Sequence, residues 1–161
     1  MVSKSEVINY YTSKDNLLYK TTCKGGVKMR ILIAEDDFIS RKLIQKLLAS
    51  YGKCDVTVDG VEAVESFILA HQEGDPYKLI CLDIMMARMD GVQALKMIRD
   101  IEKQKGLTEG ETAKIIMMTA LNDKETVMGS YDLGCDAYAW KPLNIEKVHE
   151  VIAKLGFETK E

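Results

Sequence analysis

Five short runs rich in β-forming residues alternate along this chain with longer stretches of helical period. They are Arg30 to Ala34, Val56 to Val58, Leu79 to Leu82, Lys114 to Met118 and Ala137 to Trp140. Near-continuous apolar runs of this length suit strands covered on both faces, and their alternation with helices is the pattern of a parallel α/β sheet. The second run is the weakest of the five.

Between the runs, Ile39, Leu43, Leu47 and Leu48 form one apolar stripe, and Val61, Val64, Phe67 and Ile68 form a second after Asp59-Gly60. Ala94, Leu95, Ile98 and Ile101 give a third. A fourth helix over Asp123 to Leu133 is poorer, because Thr126, Gly129 and Ser130 lower helix propensity, and it is expected to be the softest element. The last helix carries Ile145, Val148, Val151, Ile152 and Leu155 behind an Asn144 N-cap that follows Pro142. Gly106 and Gly110 interrupt the polar stretch Lys103 to Thr112, which reads as a surface loop.

At 161 residues with 47% hydrophobic content there is material for one compact core and no room for a second large domain. The net charge of -3 gives no basic footprint for nucleic acid, and no apolar run approaches the roughly 20 residues that span a bilayer, so a soluble, cytoplasmic protein is expected. Cys23, Cys54, Cys81 and Cys135 are far apart and are expected to be reduced thiols. Residues 1–28 differ, with five lysines against Glu6 and Asp15. This basic leader lacks the apolar segment of a secretory signal. It is expected to be a docking arm, a mobile tail, or an extension upstream of a true start at Met29. The folded domain is placed at 29–157, with 158–161 as a short tail.

The polar residues carry the functional signal. Glu35, Asp36 and Asp37 follow the first strand, Asp83 ends the third, Thr119 the fourth and Lys141 the fifth. All lie at carboxyl ends. In a doubly wound sheet of order 2-1-3-4-5 these ends border the crevice where strands one and three diverge, and ligands bind there. Converging carboxylates repel unless a cation sits among them, and oxygen ligands favour Mg2+. Asp37 alone is explained by a helix N-terminus. Asp83, embedded between Leu79-Ile80-Cys81-Leu82 and Ile84-Met85-Met86, needs partners. A metal-bound carboxylate nucleophile, a hydroxyl and an ammonium are the parts that stabilise a transferring phosphoryl group.

The segments RILIAEDD, LDIMMARMDG, KIIMMTAL and DAYAWKP, in this order, resemble the response-regulator receiver family over about residues 29 to 157. The resemblance implies a flavodoxin-like five-stranded sheet with five helices on both faces. It implies Asp83 as phospho-acceptor, Asp36 as direct Mg2+ ligand, Glu35 as a water-mediated one and the Met85 carbonyl as a further ligand. Thr119 and Lys141 would hold phosphoryl oxygens, and Asp37 falls at a variable position outside the core site. Tyr138 would be an aromatic switch that turns inward as Thr119 moves, reshaping the face of helix four, strand five and helix five, and Lys141-Pro142 would be a cis peptide. Trp140 is either core or an anchor on that face.

The match departs at Ala87, where the motif usually has proline. Gly91 is retained, as a turn with positive φ would require. The resemblance implies that Met85 and Leu121 occupy the positions that tune phosphoryl loss in receivers, and neither can orient a water by hydrogen bonding, so self-dephosphorylation is expected to be slow. A phosphatase of the haloacid dehalogenase type needs an acid where Met85 stands, a flavodoxin-like cofactor carrier would not place three acids in its first loop, and a pseudo-receiver would not keep the acceptor set. The expectation is a two-component or phosphorelay switch, no enzyme beyond its own phosphorylation and dephosphorylation, served by a sensor histidine kinase or histidine phosphotransfer protein. Because the chain ends at Glu161, output is expected through a protein target, the chain acting as a monomer or a phosphorylation-dependent dimer.

Overall fold

The computed structural model describes residues 29–120 and 124–159. The leader 1–28 with Cys23, the loop position Leu121 and the last two residues of the tail lie outside them. Strands β1 (Met29–Ala34), β2 (Gly52–Thr57), β3 (Leu79–Asp83), β4 (Lys114–Ala120) and β5 (Ala137–Lys141) form one parallel sheet in the order β2-β1-β3-β4-β5. Helices α1 (Phe38–Leu48), α2 (Gly60–Gln72), α3 (Gly91–Gln104) and α4 (Lys124–Asp132) connect them, and α5 (Ile145–Lys154) follows β5.

Side chains alternate across a strand, so each central strand feeds two cores. Leu32, Ile80, Leu82, Ile115 and Met117 pack with α2 and α3 through Val64, Phe67, Leu95 and Ile98. Their strand neighbours Ile31, Ile33, Cys81, Ile116 and Met118 pack on the opposite face with Ile44 and Leu48 of α1 and Ile152 of α5. Burial on both faces is why β1, β3 and β4 read as unbroken apolar runs.

Three expectations are corrected. β2 runs Gly52–Thr57 rather than Val56 to Val58. It is an edge strand, so Lys53 and Asp55 are tolerated and the apolar signal is lost; Gly52 is needed because a Cβ there would lie 1.9 Å from the Met29 carbonyl oxygen. In α1 the sheet-facing row is Ile44 and Leu48, leaving Ile39 and Leu43 exposed. The two rows are offset by one residue, about 100° around the helix, so apolar residues fall on both. Gly91 does not have positive φ; a Cβ there would sit 2.2 Å from the Asp83 carbonyl oxygen, so close approach of α3 to β3 demands glycine.

The helix ends follow the sequence. Asn144 accepts the Lys147 N–H at 3.0 Å as the α5 cap, and Asp90 with Gln93 forms a reciprocal capping box on α3. Gly106 takes φ 67° where α3 stops, and Lys141-Pro142 is cis. Cys54, Cys81 and Cys135 are free, and burial pushes the Cys54 and Cys81 thiols up to about 11 and about 12, so both are protonated. No helix among the described residues is long and apolar enough to cross a membrane.

Candidate functional site

Because every strand runs the same way, the residues at their carboxyl ends meet at one edge. Glu35 leaves β1 fully buried. Its Oε1 accepts the Asp37 N–H at 3.1 Å, and its Oε2 accepts from Lys141 Nζ at 2.6 Å. The same ammonium lies 3.1 Å from Asp83 Oδ1, so one cation at the end of β5 bridges two buried carboxylates at the ends of β1 and β3. Asp36 is exposed beside them, and carboxylate oxygens of Glu35, Asp36 and Asp83 lie within 4.8 Å of one another.

These groups line an open cleft of about 610 Å³ whose walls also include Asp37, Met85, Thr119 and Ala120. Thr119 is buried, and among the described residues its hydroxyl donates a long 3.4 Å bond to the neighbouring Ala120 carbonyl, a weak contact that a ligand oxygen could replace. Asp37 accepts the Ser40 N–H at 3.0 Å, so it caps α1, and that amide holds its carboxyl below the usual range. The Met85 side chain is exposed at the rim. Thus the structure brings together Glu35, Asp36, Asp83, Met85, Thr119 and Lys141.

The electrostatics show what the cleft lacks. Burial pushes Glu35 up to about 7, opposed by the Lys141 ammonium and reinforced by the Asp83 charge. Burial alone would lower Lys141, but the Glu35 and Asp83 carboxylates outweigh it and hold the ammonium above its ordinary range. One monovalent cation therefore leaves a residual excess of negative charge among three carboxylates. All-oxygen donors with an open side suit a hard divalent ion that keeps some of its water, so the residues fit Mg2+.

Tyr138 lies buried in this unmodified chain, its hydroxyl donating to the Val127 carbonyl of α4 and its ring edge-on to Tyr131 at 4.7 Å. Trp140 is 38% exposed, which settles the surface reading, and flanks a cleft of about 400 Å³ with Tyr138, Pro142, Lys147 and Val151.

The sequence reading missed the tie beneath the β3–α3 loop. Asp59, seen there only as part of a helix start, is buried and accepts from Arg88 Nε at 2.7 Å. Arg88 stands in the left-handed region at φ 59°, which no periodic pattern signals.

Residues 31–153 match the family model described as the response regulator receiver domain. The chain is 34% identical over 133 residues to the chemotaxis protein CheY of Treponema pallidum, covering 81% of this chain and 85% of that protein. It is 32% identical over 128 residues to hybrid signal transduction histidine kinase L of Dictyostelium discoideum, covering 79% of this chain and 7% of that longer protein. Among solved structures, it resembles one in a CheX-CheY-BeF3-Mg2+ complex from Borrelia burgdorferi, with TM-score 0.70 and 26% identity, covering 83% of this chain and 92% of the other. It also resembles one from the co-crystal of the Saccharomyces cerevisiae histidine phosphotransfer protein Ypd1 with the receiver domain of Ssk1. There the TM-score is 0.66 and identity 27%, covering 78% and 88%.

Proposed function

The chain belongs to the response-regulator receiver family, and from that premise we propose that it is a cytoplasmic phosphorelay switch taking a phosphoryl group on Asp83. The observation that carries this is the Asp83 carboxylate held in an open cleft between two further acids and the Lys141 ammonium. Glu35, Asp36, Asp83 and the Met85 carbonyl would hold Mg2+. Glu35, both of whose oxygens already have protein donors, is the outer member of that set. When bound, the ion supplies positive charge that offsets the acids and an incoming phosphoryl group.

Asp83 is the nucleophile. A carboxylate oxygen bonds to phosphorus as the P–N bond of a donor phosphohistidine breaks, and the imidazole leaves and recovers a proton from solvent. Lys141, released in part from Asp83, pairs with one phosphoryl oxygen, and the Thr119 hydroxyl donates to another. Movement of Thr119 toward the phosphoryl group favours the buried Tyr138 pose and biases the face of α4, β5 and α5, where Met128, Tyr131 and Trp140 are exposed for a protein target. A sensor histidine kinase or a histidine phosphotransfer protein is the donor, in keeping with the relatives and the co-crystallised receiver. Back-transfer to phosphotransfer histidines distinguishes a relay carrier from a terminal switch.

Incubation with acetyl phosphate and Mg2+ followed by intact mass tests the proposal. Wild type should gain one phosphoryl mass and Asp83→Asn none. Equal labelling of both, or labelling of neither, refutes it.

A further inference from the structure

The loop between β3 and α3 carries Met85 on the rim of the carboxylate cleft, and its sequence lacks the proline that would stiffen it, having Ala87 instead. Something else must hold it. Arg88 Nε and Nη2 both reach Asp59 Oδ2, at 2.7 and 2.5 Å, and Nη2 lies 3.8 Å from Glu62 Oε1. Asp59 is only 4% exposed, and its other oxygen is committed to the Glu62 N–H at 2.9 Å as the α2 cap. The guanidinium is therefore the partner that the buried Oδ2 has across the loop, and an unpaired carboxylate there would be costly.

Backbone contacts fasten the same point. Gly60 N–H donates to the Met89 carbonyl at 3.0 Å, and a Cβ on Gly60 would lie 2.5 Å from that oxygen. Gly91 N–H closes the loop onto the Ile84 carbonyl at 2.9 Å. Arg88 adopts φ 59°, a conformation a side chain-bearing residue keeps only when its surroundings over-determine it, and here the ion pair supplies that determination. A surface arginine in a strained backbone, reaching back to a buried acid, is more than a solvated charge.

We propose that Arg88 is a positioning residue for the divalent-cation site: its ion pair with Asp59 locks the β3–α3 loop to the start of α2 and so fixes Met85 at the cleft. This rests on the reading of the cleft as an Mg2+ site. Loss of the clamp leaves Glu35, Asp36 and Asp83 in place but lets the Met85 backbone wander, weakening cation binding. The effect should be about three- to tenfold in Kd, below the roughly 10- to 100-fold seen when a group bonded directly to a metal ligand is lost.

The test is isothermal titration of Mg2+ into the full chain, with thermal unfolding measured alongside. Arg88→Gly removes the clamp but relieves the left-handed backbone, which offsets part of the cost of unpairing Asp59, so its melting temperature should fall with the chain still folded at the titration temperature, while its Kd rises about three- to tenfold. Asp59→Asn, which keeps the cap acceptor, should raise Kd similarly, and the double variant should be no worse than either. Arg88→Lys should recover part of the affinity. An Arg88→Gly Kd within about twofold of wild type overturns the clamp while leaving the metal site intact. No Mg2+ binding by wild type, or undiminished binding by Asp83→Asn, instead removes the cation-site reading and the clamp with it.

Discussion

Substituting Glu35 by glutamine should flatten the pH dependence of stability in the metal-free protein. Glu35 is fully buried, and burial lifts its pKa from 4.5 to about 7. Between those values the folded state holds a proton that the unfolded chain has lost. Stability is therefore greatest below pH 4.5 and falls as pH rises through 7. One pKa unit corresponds to about 1.4 kcal/mol, so the ionised Glu35 should cost on the order of 3–4 kcal/mol by pH 8. Urea unfolding of wild type and Glu35→Gln in a chelator, from pH 4.5 to 8, isolates this residue as the difference between the two curves. The gap should widen toward high pH, and millimolar Mg2+ should shrink it by stabilising the anion in wild type. A pH-independent gap, or one that widens toward low pH, refutes the argument that the carboxylates are short of positive charge.

Other outcomes follow from particular contacts. Burial lowers His71 to about 4, with the Lys105 and Lys78 charges adding to it; the neutral ring should contribute stability above pH 6.5 that is lost as pH falls toward 4, and an NMR titration midpoint above 6 would contradict this. Arg99 binds Glu102 at 2.6 Å and Asp136 at 2.8 Å while donating to the Gly134 and Ala113 carbonyls. Because Glu102 is 2% exposed, Arg99→Ala should destabilise by about 3–5 kcal/mol in chemical denaturation, and a loss under about 1 kcal/mol would show that Glu102 is satisfied without it. Met85, exposed at the rim, cannot orient water, so wild-type phosphoprotein should outlast a few seconds and Met85→Asn should lose its phosphoryl group faster; equal lifetimes by time-resolved mass measurement would remove Met85 from that role.

The positions of β1, β3, β4 and β5 were legible because strands buried on both faces are written in unbroken apolar residues. β2 was obscured because its Lys53 and Asp55 sit on an open edge, where charge guards against pairing with another chain. In α1 the apolar residues occupy two adjoining rows, and only packing selects Ile44 and Leu48 over Ile39 and Leu43. Within the site, Glu35, Asp36, Asp83, Thr119 and Lys141 were readable because each interrupts or ends an apolar run at the same pole of the sheet. The Asp59–Arg88 contact was not, since it joins two loops through a backbone conformation that composition does not encode. Gly91 was marked correctly as glycine for the wrong reason: proximity to the Asp83 carbonyl, not φ, decides it. That the Tyr138 hydroxyl donates to the Val127 carbonyl was also beyond the sequence, because it depends on where α4 places that carbonyl.

The most direct measurement is chemical location of the phosphoryl group. Borohydride reduces an acyl phosphate to an alcohol, so treatment after incubation with acetyl phosphate leaves a permanent mark at the attacked carboxylate, which peptide mass spectrometry then locates. The mark should appear at Asp83 with Mg2+ and vanish when the ion is chelated. A mark on Glu35 or Asp36, or undiminished marking of Asp83 in chelator, would contradict a cation-dependent nucleophile at the end of β3.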